Sequence, residues 1–161
     1  AIGGLALGGK WYRPHLVKGS GRPDAPKEWG LNPANVARVV AGMYGVVNEG
    51  GTGGRARLPG IDVCGKTGTA QLASNEFLKA NKQSKLMKDN AWFVGFAGRS
   101  NPEIVVAALF ENGEHGPMAA PIVRDIIKVY YDKKARVGRP AAPSVFRAPA
   151  PDRGPVSQVL P

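Results

Sequence analysis

Val63-Cys64-Gly65-Lys66-Thr67-Gly68-Thr69-Ala70-Gln71, VCGKTGTAQ, is the stretch on which the reading of this chain turns. An apolar strand end runs into a glycine, and a cation and two hydroxyls follow around a second glycine that leaves backbone open to another molecule. That grouping suits a peptide carboxylate, because an ammonium and hydroxyl donors supply charge-assisted hydrogen bonds to it. It also has a gap. A lysine and two threonines can hold an acyl substrate, but they bring no activated nucleophile.

Upstream of the motif, Gly60-Ile61-Asp62-Val63-Cys64 alternates apolar and polar residues and predicts a strand ending at about Thr69 or Ala70. Before it, Asn32-Pro33 reads as a helix cap and first helical residue. Val36, Val39, Val40, Met43 and Val47 then lay an apolar stripe along a helix ending near Asn48, where Gly50, Gly51, Gly53 and Gly54 stop it. Downstream, the polar stretch 71–90 has a weak helical stripe at Leu72, Phe77 and Leu78 and reads as an excursion between strands. Residues 91–97 and 104–110 are apolar runs of strand length, joined by Gly98-Arg99-Ser100-Asn101-Pro102. So short a joint predicts antiparallel pairing. Trp92 and Phe93 are expected in the sheet core, and Glu111 and Glu114 are expected to face water. After Asn112-Gly113, the residues Ile122, Ile126, Val129 and Tyr130 predict an amphipathic helix covering the sheet. Lys133 and Lys134 fall at the negative end of its dipole.

With 161 residues and 43% hydrophobic content, one ordinary core is expected. No apolar stretch approaches the roughly 20 residues that cross a bilayer, and nothing at the start resembles a signal peptide. The opening AIGGLALGG has no initiator methionine and predicts a piece of something longer. From Arg139 onward lie six of the 14 prolines, and residues 135–161 are expected to form a disordered basic tail. The net charge of +10 is scattered, and 7% aromatic content shows no interleaved stacking pattern, so a solvated surface is expected and no nucleic-acid partner. Cys64 reads as a small core residue, and a single cysteine excludes an internal disulfide. His15 and His115 stand apart without ligand spacing, so neither a metal nor a cofactor is expected.

Gly60, Gly65, Lys66 and Thr67 also satisfy G-x-x-x-x-G-K-[ST], the phosphate loop of nucleotide hydrolases. That loop follows a buried strand and opens a helix whose N-terminus receives phosphate. Arg55-Ala56-Arg57-Leu58-Pro59 is no buried strand, and the residues between the glycines are themselves strand-like, which leaves this a minor alternative.

Lys-Thr-Gly has another setting, as the third motif of the serine enzymes that act on penicillin and wall peptides. Here GKTGTAQ, NAWFVGFAG, EIVVAALFENG and AAPIVRDII occur in that order, with GGKWYRPHLV and NEGGTGGRA ahead of them. Over about residues 1–134 the chain resembles the C-terminal portion of class B penicillin-binding proteins, and their elongation-type members in particular. The resemblance implies an α/β (α+β) fold, part of the serine β-lactamase and DD-transpeptidase type, with an antiparallel sheet and flanking helices. It implies a peptidoglycan DD-transpeptidase that cross-links stem peptides through an acyl-serine and is acylated by β-lactam antibiotics.

Within the resemblance, Lys66 would hold the substrate's terminal carboxylate. Thr67 and Thr69 would donate hydroxyl bonds to it, Gly68 would keep the edge clear, and Gln71 would continue that edge. The Thr69 backbone N–H would be the catalytic contribution, as one oxyanion donor. Ser-x-x-Lys and Ser-x-Asn, which carry the nucleophile and proton relay, do not occur: no serine has a lysine three positions later or an asparagine two later. The isolated chain is therefore expected to be inactive, with the upstream remainder of the domain as a necessary partner beside other cell-wall synthesis proteins. The resemblance places it at the periplasmic face of an inner membrane, anchored by a segment outside these residues. A non-catalytic module binding wall peptide or a partner is the other alternative.

Overall fold

Asn32 begins the first long helix as its side chain predicts, its Oδ1 accepting from the N–H groups of Ala34 at 2.9 Å and Asn35 at 3.3 Å. The computed structural model describes residues 1–17, 25–72 and 88–137. The main elements are α1 (Ile2–Ala6), β1 (Lys10–Trp11), β2 (Lys27–Glu28), α2 (Pro33–Asn48), β3 (Val63–Ala70), β4 (Asn90–Ala97), β5 (Ile104–Phe110) and α3 (Ala120–Val137). Short 3-10 turns occupy Gly54–Ala56 and Gly116–Met118.

The motif strand β3 lies at the margin of an antiparallel sheet ordered β3-β4-β5, while β1 and β2 form a separate two-residue ladder. β3 starts at Val63 rather than Gly60, because Gly60 adopts φ +74 and turns the chain before the ladder begins. Gly98 closes the joint between β4 and β5 at φ +88, where a Cβ would stand 2.2 Å from the Asn101 carbonyl oxygen.

Pairing assigns the two faces. Val63 opposes Ala97, Thr67 opposes Phe93 and Phe93 opposes Ala108, so these share the face toward α3. There Val63, Phe93, Ala97, Val106 and Ala108 pack with Ala120, Val123 and Ile127 of α3. Cys64, opposite Phe96, is on the other face with Met43 of α2 and the flank of α1. Helices thus lie on both faces of an antiparallel sheet, as the α/β expectation requires, with the second face covered only around Cys64 and Phe96. Each fully buried Phe93, Phe96, Val123 and Ile127 contributes roughly 1.5–3 kcal/mol. Cys64 is buried, and that burial pushes its thiol up to about 11, with Arg99 opposing and Asp62 reinforcing the shift. It is core, as expected.

Three expectations need correction. The buried stripe of α3 is Ala120, Val123 and Ile127, whereas Ile122, Ile126 and Val129 are exposed. Both stripes have helical spacing, so periodicity identifies the helix but not its phase, which the crowded surface around Phe93 sets. Trp92 is 42% exposed, because strand alternation turns it to the opposite face from Phe93, beyond the reach of α1 and α2. Val39 is likewise exposed, since the N-terminal half of α2 is largely uncovered and its contacts with the sheet run chiefly through β3.

Glu111 and Glu114 are exposed as expected, Glu114 pairing with Lys88 at 3.1 Å. At the far end of α3, Lys134 bonds Glu103, and that bond raises the lysine's pKa. The helix continues through Val137, so residues 135–137 are helical. The rest of the predicted tail, and Phe77 and Leu78 of the excursion, lie outside the described residues.

Candidate functional site

The side-chain amide of Asn48 ties the end of α2 to the start of β3, donating to the Tyr44 carbonyl at 3.0 Å and the Val63 carbonyl at 2.8 Å. One residue earlier, the Asp62 carbonyl accepts from the Gly98 N–H at 3.1 Å, in the direction of β4. Backbone groups in an antiparallel pair alternate between partner and margin. The backbone carbonyl of Val63 therefore faces the margin, where Asn48 meets it, and so do the N–H and C=O groups of Gly65, Thr67 and Thr69. The Lys66 ammonium agrees with this, donating to the Thr67 carbonyl at 2.7 Å.

Side chains alternate on the same strand. Thr67 and Thr69 take the α3 face, and Lys66 and Gly68 take the other, opposite Val94 and Trp92. Lys66 and Thr69 are exposed, while Thr67 and Gly68 are half-buried. Cation and hydroxyls thus meet only along the margin, where a ligand lying edge-on reaches both. Gln71 stands one residue past the end of β3, exposed, and does not extend the ladder. Gly65, Lys66 and Thr67 all lie inside a strand rather than at a helix N-terminus, so the geometry of a phosphate loop is not present.

Two loops close on the motif from the α3 face. A Cβ on Gly116 would stand 2.8 Å from the N and O of Gly68 and from Thr67 Cβ, so this glycine rests directly on the strand backbone. Its loop is held by Glu114 N–H to the Asp89 carbonyl at 2.8 Å and Asn112 N–H to Asn90 Oδ1 at 3.0 Å. The second loop, Gly50–Gly54, brings Thr52 Oγ to 2.8 Å from Thr67 Oγ. Arg55 links the two, donating to Met118 Sδ at 3.1 Å. Gly116→Ala is expected to destabilise the fold by about 1–3 kcal/mol, since the obstruction is backbone that cannot rotate away. A chemical denaturation midpoint measures this, and an unchanged midpoint would contradict the contact.

The residues brought together are thus Lys66, Thr67, Gly68 and Thr69, with Thr52 and Gly116 added. Sequence reasoning missed both additions, and Asn48 as well. GGTGG drew notice as a helix stop and as part of the family resemblance but with no role for Thr52, and Gly116 lies 48 residues from Gly68 with no local pattern pointing to it. His15 and His115 are exposed. Among the described residues no group of three His, Cys, Asp or Glu side chains forms a metal site, and no helix is long and apolar enough to cross a membrane.

Comparison with known proteins gives a consistent result. A profile of the penicillin binding protein transpeptidase domain matches residues 1–128. The peptidoglycan D,D-transpeptidase MrdA of Acinetobacter baumannii is 37% identical over 133 residues, covering 80% of this chain and 19% of the relative. Among solved structures, Pseudomonas aeruginosa PBP2 in complex with WCK 5153 aligns at TM-score 0.63 and 38% identity, over 79% of this chain and 27% of that one. The penicillin-binding protein PBP2 of Helicobacter pylori, in complex with MreC, aligns at 0.63 and 27% identity, over 82% and 24%. The chain spans a small part of each relative's length.

Proposed function

Because this chain belongs to the penicillin-binding protein transpeptidase family, we propose that it works as the substrate-holding side of a peptidoglycan DD-transpeptidase centre. The observation that carries the reading is the β3 margin: Lys66 and Thr69 exposed, Thr67 beside them, and the backbone of Thr67 and Thr69 turned outward. A stem peptide lies along this edge as an added strand, main chain to main chain. Its terminal carboxylate sits among the Lys66 ammonium and the hydroxyls of Thr67 and Thr69. Gly68 leaves the edge free of bulk, and Gln71 flanks the exit. A β-lactam presents an equivalent carboxylate to the same groups.

In the acyl-transfer step, a serine attacks the scissile carbonyl and the negative charge moves to its oxygen. The Thr69 N–H meets that oxygen as one of two donors. The serine and its proton acceptor come from polypeptide outside these 161 residues, since Ser-x-x-Lys and Ser-x-Asn are absent. Uncovered apolar surface supports that division. Trp92, Val105 and Leu109 leave one sheet face open beside Lys66, and Ile122, Ile126 and Val129 leave a flank of α3 open. The remainder of the domain covers them. We place the complete protein at the periplasmic face of an inner membrane, working with other cell-wall synthesis proteins in maintaining cell shape.

Intact-mass spectrometry with a β-lactam tests this. The complete gene product should gain one adduct, and residues 1–161 alone should gain none. An adduct on a serine of this chain would overturn the division of labour. No adduct on the complete product would favour a non-catalytic module that binds wall peptide.

A further inference from the structure

The proposed chemistry leaves one polar side chain at the motif without a task. Thr52 Oγ lies 2.8 Å from Thr67 Oγ, across 15 residues of sequence, and both atoms belong to hydroxyls that carry a single proton. If Thr67 spends its proton on Thr52, it has none for a carboxylate. If Thr52 donates, the Thr67 proton is free to turn outward. An accepted bond also polarises the Thr67 hydroxyl and makes it a stronger donor.

The loop around Thr52 is built for this approach. Gly51 and Gly53 have no positive φ, so turn conformation does not demand glycine at either position. Packing does. A Cβ on Gly51 would stand 2.5 Å from Val46 Cα, and one on Gly53 would stand 2.9 Å from both Val46 Cγ1 and Phe93 Cε2. The Gly53 N–H bonds the Val46 carbonyl at 2.9 Å, holding the loop down on the end of α2. Asn48 fixes that same helix end to β3, so the separation between Thr52 and Thr67 is set from both sides.

We infer that Thr52 is a positioning residue: its hydroxyl donates to Thr67 Oγ and commits the Thr67 proton to the carboxylate of the bound peptide or β-lactam. The inference rests on the carboxylate reading of β3. It adds a residue whose own contact is with the motif rather than with the ligand.

The test measures the second-order rate of acylation by a penicillin in the complete gene product, comparing Thr52→Val, Thr52→Ser, Thr67→Val and the Thr52→Val/Thr67→Val double variant. Valine keeps the shape of threonine and removes the donor, and is expected to slow acylation about threefold to tenfold, the worth of one neutral hydrogen bond. Serine restores the donor and should restore the rate. Added to Thr67→Val, the Thr52 change should cost nothing more, because the hydroxyl it serves is already gone. A wild-type rate for Thr52→Val, no rescue by serine, or an undiminished loss in the Thr67→Val background would each overturn the inference while leaving the β3 reading intact. Failure of the unsubstituted protein to acylate at all would overturn both. Thermal melting of each variant separates loss of fold from loss of positioning.

Discussion

Lys66→Ala should lower acylation of the complete gene product by a β-lactam about a hundredfold while leaving its melting temperature nearly unchanged. The two halves of this expectation have separate causes. Lys66 is exposed, and its ammonium bonds the carbonyl of its own neighbour, Thr67, so the folded chain loses little when it is removed. A bound carboxylate loses its cation, and hydrogen bonds to charged groups are worth about 1.5–3 kcal/mol, or roughly tenfold to a hundredfold and beyond in a rate that depends on them. Lys66→Arg should recover part of the loss, because the charge returns on a planar group of different reach. Stopped-flow acylation kinetics measure the effect. Equal rates for Lys66→Ala and the unsubstituted protein would sink the proposed site.

Phe93→Ala is expected to cost about 3–5 kcal/mol of stability, enough to unfold much of a marginal domain. Phe93 is fully buried, and its ring fills space that glycines leave on three sides. A Cβ on Gly65 would stand 2.4 Å from Phe93 Cζ, one on Gly95 3.2 Å from Cε1, and one on Gly53 2.9 Å from Cε2. No neighbouring side chain on those glycines can move in when the ring is deleted, so the void stays. The same ring supports β3 from beneath Thr67, its cross-strand partner. Acylation should therefore fall even at temperatures where the variant is still folded. Urea denaturation gives the stability change, and a loss below about 1 kcal/mol would mean the site collapses more easily than this packing allows.

Much of this was legible in local sequence. The apolar runs at 91–97 and 104–110 returned as β4 and β5 within a residue, and Asn32-Pro33 marked the start of α2, because strand alternation and helix caps are written in neighbouring positions. The motif lies on a strand at a sheet margin, the placement that the proposed carboxylate site requires. The phase of α3 was not legible, since Ile122, Ile126 and Val129 repeat at the same interval as Val123 and Ile127, and only the shape of the sheet chooses between them. Nor were the contacts of Thr52 with Thr67 and Gly116 with Gly68, because each joins residues whose local patterns are complete without the other. The separation of Lys66 from the two threonines onto opposite faces followed from strand parity and could have been drawn from the sequence.

The glycines packed about β3 bear on how this protein can diversify. Gly51, Gly53, Gly65, Gly95 and Gly116 each have a neighbour within 3.1 Å of where a methyl group would go. Inheritable change at these five positions is penalised before it can alter a ligand's fit. Drug pressure or a new wall chemistry would then find its tolerated variants elsewhere, at exposed side chains beside the motif such as Met118, whose unbranched thioether can adjust. A survey of viable alleles should show diversity pooling there and silence at the glycines.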